Sequence, residues 1–250
     1  MIRTESRGAL RLVTIDRPDR RNALDHDALD GLLGALADAS SAVGDGEARV
    51  LVLIGAGGHF CAGADLSTVE DDGFVSKLHD LLEGLRTVPC PTMAAIDGAA
   101  LGAGTQLAVA CDLRVSTPGA TLGIPAGKLG LMTDQWTVNR LADVAGQSVA
   151  RAMLLAAETL SGERAHQVGL VTRLAEPADL EARAVAWADQ IAGLAPLTLA
   201  GFKAGLNEAE GRLDWTPGYR SAFERAWASA DLQEGLAAFA DRRPPEFQGR

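Results

Sequence analysis

Two stretches of the chain concentrate the residue types that could do chemistry. The first, Gly55 to Leu66, reads G-A-G-G-H-F-C-A-G-A-D-L. Glycines behind an apolar run permit positive φ and close backbone approach. That leaves two readings: a surface turn, or a loop offering free N–H groups to an anion or a developing oxyanion. The spacing is not that of a dinucleotide-binding G-x-G-x-x-G turn. The second stretch, Asp97 to Asp112, reads D-G-A-A-L-G-A-G-T-Q-L-A-V-A-C-D. A turn leads there into a helix whose first turn is Gly102-Ala103-Gly104. A helix N-terminus carries unpaired N–H groups and the positive end of the dipole. The alternative is a packing helix that needs small residues.

Acid–base residues are scarce around these stretches. No glutamate lies between Glu83 and Glu158. The carboxylates left there are Asp97, a turn residue, Asp112, a helix exit, Asp134 and Asp143. Gln106 donates and accepts hydrogen bonds but does not titrate. His26, His59, His79 and His166 are scattered, and Cys61, Cys90 and Cys111 lack ligand spacing, so no metal site is expected.

The elements that must position these residues follow from periodicity. Strands are predicted at 9–15, 49–54, 92–96, 112–116, 120–123 and 168–174. Helices are predicted at 24–43, 74–85, 101–110, 133–145 and 147–156. From residue 177 onward only helices are predicted, at about 177–193, 196–209, 217–228 and 231–241. This alternation predicts an α/β core over 1–176 and a helical region over 177–250.

The bulk numbers set the remaining bounds. Among 250 residues, 23 are Lys or Arg and 33 are Asp or Glu, a net charge of −10. Such a surface repels phosphate backbones, so no nucleic-acid partner is expected. No secretory signal and no membrane span are expected. Three cysteines cannot all pair, and reduced thiols in the cytoplasm are the simplest reading.

Taken together, F-C-A-G-A-D-L and G-A-A-L-G-A-G resemble the crotonase superfamily, the enoyl-CoA hydratase/isomerase family. R-P-D-R-R-N-A-L (Arg17 to Leu24), C-D-L-R-V (Cys111 to Val115), A-H-Q-V-G-L-V-T-R-L (Ala165 to Leu174) and the segment from Asp231 to Phe247 fit as well. The resemblance spans nearly the whole chain. It implies a spiral of ββα turns with a C-terminal helical region that mediates trimerisation. It implies an acyl-CoA thioester as ligand or substrate, with no further cofactor. The thioester oxygen would sit between the backbone N–H groups of Ala64 and Ala103, donors worth about 3–4 kcal/mol each to a developing oxyanion. Coenzyme A would lie against Arg20, Arg21, Asn22, Ala62, Asp65 and Leu66, with Phe239 and Arg242 from the C-terminal helix. Leu131, Trp136 and His79 would line the acyl pocket. A homotrimer or a dimer of trimers is implied, with Phe223, Trp227 and Phe239 at the interface or else covering the core of their own chain.

The chain departs from the family pattern where hydratases carry two glutamates. Gln106 stands at one position and Ala126 at the other. A base must take a proton near the working pH, and neither residue can. This combination most resembles actinobacterial enoyl-CoA hydratase-like members that lack both glutamates, some of which bind long acyl-CoA without hydrating it. The expectation is an acyl-CoA-binding protein of lipid metabolism with impaired or absent hydration. The alternative is an isomerase, hydrolase or dehalogenase using Asp134, which stands where the similar 4-chlorobenzoyl-CoA dehalogenase places a nucleophile. Against that stands a plainer role for Asp134 as a helix cap.

Overall fold

The structure is a computed structural model that describes residues 1–66, 72–209 and 217–246. Strands β1 (Ile2–Arg7) and β2 (Leu10–Ile15) form a hairpin, and α1 (His26–Gly44) follows. Then come β3 (Val50–Gly55), α2 (Asp72–Thr87), β4 (Thr92–Ile96), β5 (Ala99–Leu101) and α3 (Ala103–Ala110). Next are β6 (Leu113–Ser116), β7 (Thr121–Gly123), α4 (Gln135–Ala145) and α5 (Gln147–Leu155). β8 (Thr159–Ser161), α6 (Gly162–Gln167) and β9 (Arg173–Leu174) close the core. The chain ends in α7 (Leu180–Ala192), α8 (Pro196–Ala209), α9 (Pro217–Trp227) and α10 (Ala230–Asp241).

The main sheet runs β1-β2-β3-β4-β6-β9, parallel except for the β1–β2 hairpin. A second sheet runs β5-β7-β8. β4 in the main sheet passes to β5 in the second and then to α3; β6, β7 and α4 repeat that path. β3 makes a reduced version, because Cys61 bridges Ala100 of β5 before the chain reaches α2. These are the turns of a ββα spiral.

Both faces of the main sheet are covered, which is why its strands are continuously apolar. Side chains alternate with period two. Leu51, Leu53, Ala94 and Ile96 pack with α1, α2 and α3, while Val50, Val52, Met93 and Ala95 pack with Leu180, Ala184, Ala188 and Ile191 of α7. Thus α7, on the C-terminal side of residue 176, shares one apolar cluster with the sheet. Helix α1 starts where Asp25 accepts a hydrogen bond from Ala28 N at 2.9 Å, and it buries Leu29, Leu32 and Leu36 on one stripe.

The expected strand over 168–174 is corrected to its last two residues. Gly169 takes φ +84° just after α6, Val171 N bonds Ala165 O, and the buried Arg114 guanidinium holds Leu170 O at 2.5 Å. The backbone groups a strand would need are therefore already engaged. β1, β5 and β8 carry too little apolar alternation to show in the sequence. Asp112, expected as a helix exit, also ties segments together. Its Oδ2 accepts from Thr92 N, Thr92 Oγ1 and the buried Lys203 Nζ at 2.7, 2.9 and 2.8 Å, which fastens α8 to β4.

Candidate functional site

A cavity of about 540 Å³ opens beside the start of α3. That volume lies in the range of small-molecule sites. Its walls are mainly apolar: Phe74, Val75, Leu78 and Leu82 from α2, Ile124, Leu129, Leu131 and Met132 from the segment between β7 and α4, then Phe223, Trp227 and Phe239 from α9 and α10. Trp227 Nε1 donates to Met132 O at 3.2 Å and its ring stacks on Phe223, so α9 is seated on the segment that leads into α4. Phe239 remains 64% exposed at the rim.

Two backbone segments meet at one wall. Leu24 N donates to Gly63 O and Asp65 N donates to Leu24 O, which leaves the Ala64 N–H between them without an acceptor among the described residues. Ala103 is the first residue of α3, so its N–H has no partner within the helix, and none is found elsewhere among the described residues. A Cβ placed on Gly63, whose φ is +109°, would lie 2.9 Å from Leu101 O and 3.8 Å from Ala103 N. Only glycine permits this approach, and the two alanines therefore line the same cavity. Thr105 fixes the start of α3. Its Oγ1 accepts from Gly123 N at 3.0 Å, and its single proton points between Ala100 O at 2.6 Å and Gly123 O at 2.9 Å.

One turn further along α3, Gln106 reaches across to α4. Its Nε2 donates to Asp134 Oδ2 at 2.6 Å and to Thr137 Oγ1 at 3.2 Å. Asp134 is the N-cap of α4 and accepts from Thr137 N at 2.9 Å. Oδ2 also takes the hydroxyls of Thr137 and Thr133, at 2.6 and 3.3 Å. Thr137 escaped the sequence reading, although the D-x-x-T spacing across a helix start marks it. Ala126 lines the cavity as well and brings no polar side-chain atom.

The remaining expected residues divide into two groups. Arg20, Arg21, Ala62, Asp65, Leu66, Leu131 and His79 all line the cavity. Arg20 and Arg21 are exposed and carry no ion pair among the described residues. Three expected residues do not line it. Asn22 is fully buried; its amide donates to Ala56 O and His59 O at 2.9 and 2.6 Å and accepts from Arg17 N at 2.8 Å. It shapes the loop that presents Arg20 and Arg21. Trp136 sits in the main apolar core, 4% exposed, because the start of α4 turns it inward. Arg242 ends α10 with φ +56° and is exposed on that cap. Phe247, the last residue of the terminal motif, lies outside the described residues.

The enoyl-CoA hydratase/isomerase family model matches residues 5–250. The chain belongs to that family. "Probable enoyl-CoA hydratase echA6" of Mycobacterium leprae is 42% identical over 250 residues, covering 98% of this chain and 98% of that protein. The 2,3-dehydroadipyl-CoA hydratase of Escherichia coli is 34% identical, covering 96% and 95%. A solved enoyl-CoA hydratase of Mycobacterium avium subsp. paratuberculosis is similar in fold, with a TM-score of 0.87 at 27% identity over 99% and 98% of the two chains. The crotonase fold expected from the motifs is therefore established, and the family's ligands are CoA thioesters. No helix among the described residues is long and apolar enough to cross a membrane.

Proposed function

We propose that this chain binds fatty acyl-CoA thioesters in the cavity, in the cytoplasm, and hydrates them poorly or not at all. The thioester oxygen lies between the Ala64 and Ala103 N–H groups. The acyl chain runs along the apolar wall of α2 and the segment before α4, and the CoA phosphates meet Arg20 and Arg21 at the rim. Arginine suits that rim because its charge persists at any working pH and its fork matches a phosphate.

The observation that carries this reading is the make-up of the cavity lining that also holds Ala64 and Ala103. Where the family pattern has glutamates, Gln106 cannot titrate and Ala126 has nothing to donate or accept. Beside Gln106, Asp134 takes three hydrogen bonds on Oδ2, from Gln106, Thr133 and Thr137, and one on Oδ1 from Thr137 N, the bond that caps α4. Those bonds hold the carboxylate to the start of α4 and stabilise its charged form, which makes it a poorer nucleophile or base than a free carboxylate. We also propose that the chain assembles as a homotrimer or a dimer of trimers. Leu197, Phe202 and Leu206 on α8 are 87%, 67% and 66% exposed, an apolar face of the kind a subunit interface covers.

Calorimetric titration with CoA and with a long-chain acyl-CoA tests the binding claim. The acyl compound should bind more tightly by at least tenfold, because the apolar wall holds only the acyl chain. Equal affinity for both, or no binding of either, contradicts it.

A further inference from the structure

The loop after β3 and the segment that starts β5 run side by side as a short parallel ladder. Phe60 N donates to Asp97 O, Cys61 N to Ala99 O and Leu101 N to Cys61 O, at 2.8, 2.9 and 3.0 Å. Continued backwards, this pattern would pair the Ala99 N–H with His59 O. That carbonyl instead accepts from Nδ2 of the buried Asn22 at 2.6 Å. Ala99 N donates to the imidazole Nδ1 of His59, at 3.0 Å. The side chain thus replaces its own main-chain carbonyl as the acceptor. An accepting Nδ1 presents a lone pair, so the ring carries its proton on Nε2.

The contact is tightly built. A Cβ on Gly98 would fall 2.5 Å from His59 Nδ1 and 2.2 Å from Gly58 O, and Gly98 has φ +51°, so only glycine lets the ring sit here. His59 itself does not line the cavity. Directly beyond the contact, however, lie both proposed donors to the thioester oxygen, Ala64 on the loop that follows His59 and Ala103 at the end of the path that starts at Ala99. Between them Leu101 O packs against Gly63. A slip of β5 against the loop at Ala99 therefore changes the spacing of the Ala64 and Ala103 N–H groups.

We infer that His59 is a positioning residue, whose Nδ1 fixes β5 against the loop after β3 and so holds the two backbone N–H groups at the spacing a thioester oxygen needs. The inference rests on the thioester-binding reading above and adds to it a residue outside the cavity. Donors to an oxyanion act only when they are held in advance at the right distance, and a small displacement that starts away from the ligand is enough to spoil that.

The experiment titrates the intact protein calorimetrically with CoA and with acetyl-CoA, and records the infrared carbonyl band of bound acetyl-CoA that is isotope-labelled at the thioester carbon. CoA lacks the thioester carbonyl, so changes in the ratio of the two affinities, and in the band, report on the two N–H groups rather than on the arginines at the rim. In the unaltered protein the band should lie below that of free acetyl-CoA. His59→Leu removes the acceptor. It should move the band back toward the free value and lower the acetyl-CoA to CoA ratio roughly three- to tenfold, the effect of one net hydrogen bond. His59→Asn should retain both, because its Oδ1 stands as many bonds from the backbone as Nδ1 does and also accepts. His59→Gln, with its oxygen one bond further out, should behave like His59→Leu and takes its place should that variant not fold. Equal losses in His59→Asn and His59→Leu would mark a merely structural role and overturn the inference. So would a band and a ratio that every variant leaves as they were, or a loss of CoA and acetyl-CoA affinity by the same factor. An unshifted band in the unaltered protein overturns the thioester reading itself, and this inference with it.

Discussion

At the residue scale, the Gln106–Asp134 contact carries the most consequence. A glutamate at 106 would set a second carboxylate against Asp134 Oδ2, where an amide now donates at 2.6 Å. Two close carboxylates cannot both ionise freely, so the pair would titrate with a raised pKa in the folded protein. A raised carboxylate pKa contributes stability below the unfolded value that is lost as pH rises through the folded one. Gln106→Glu should therefore melt further below the unaltered protein at pH 8 than at pH 5. Adding Asp134→Asn should recover most of the loss at pH 8. A pH-independent loss would mean that the two side chains do not face each other as described. In the unaltered protein Asp134 meets an uncharged partner at this position.

At the element scale, α3 is the hinge between scaffold and site. A Cβ on Gly104 would fall 2.1 Å from Cys61 O, and Thr105 alone bonds two strands of the second sheet. Thr105→Val keeps the shape but leaves Gly123 N and Ala100 O to find other partners, while Gly123 O keeps its bond from Gly102 N. It should cost about 1–3 kcal/mol of stability by denaturant titration. Gly104→Ala should cost more and should displace the Ala103 N–H from the Ala64 N–H, weakening acyl-CoA binding alongside stability.

Much of this scale was legible in advance. The β2, β3 and β4 strands, α1, α2 and the helices after residue 177 announce themselves through apolar period and caps. β5 and β8 did not, because three-residue strands carry no period. Residues 168–171 failed for the opposite reason: they look like a strand, but Arg114 and the turn at Gly169 claim their backbone. In the site, motif positions placed Ala64, Ala103, Gln106 and Ala126 around one cavity, whereas Asn22, Trp136 and Arg242 fell away from it. Which way a side chain faces within a correctly placed element is decided by tertiary packing, which the local sequence does not record.

At the scale of the whole molecule, the three thiols report on the packing of the core. Cys61, Cys90 and Cys111 are all buried and unpaired. Burial pushes Cys61 and Cys111 up to about 12 and Cys90 up to about 11, from an ordinary value of 9.0. The unfolded chain therefore sheds these protons first as pH rises. Stability should be insensitive to the thiols below pH 9 and should fall between about 9 and 12. All three should resist a thiol reagent in the native protein and react together in denaturant; a rapidly reacting native thiol would contradict the packing described.

Of the 33 acidic residues behind the net charge of −10, Asp65 and Asp134 line the cavity among the described residues. By the motif resemblance, Gln106 and Ala126 of that lining stand where hydratases carry glutamates, and the proposed function takes hydration to be impaired for that reason. The most direct measurement of that claim follows crotonyl-CoA in the presence of a stoichiometric amount of the protein by product analysis, alongside calorimetry on the same sample. The account expects saturable thioester binding with 3-hydroxybutyryl-CoA forming at most at a rate orders of magnitude below that of a glutamate-bearing family hydratase run in parallel. Hydration at a rate comparable to that enzyme would contradict it.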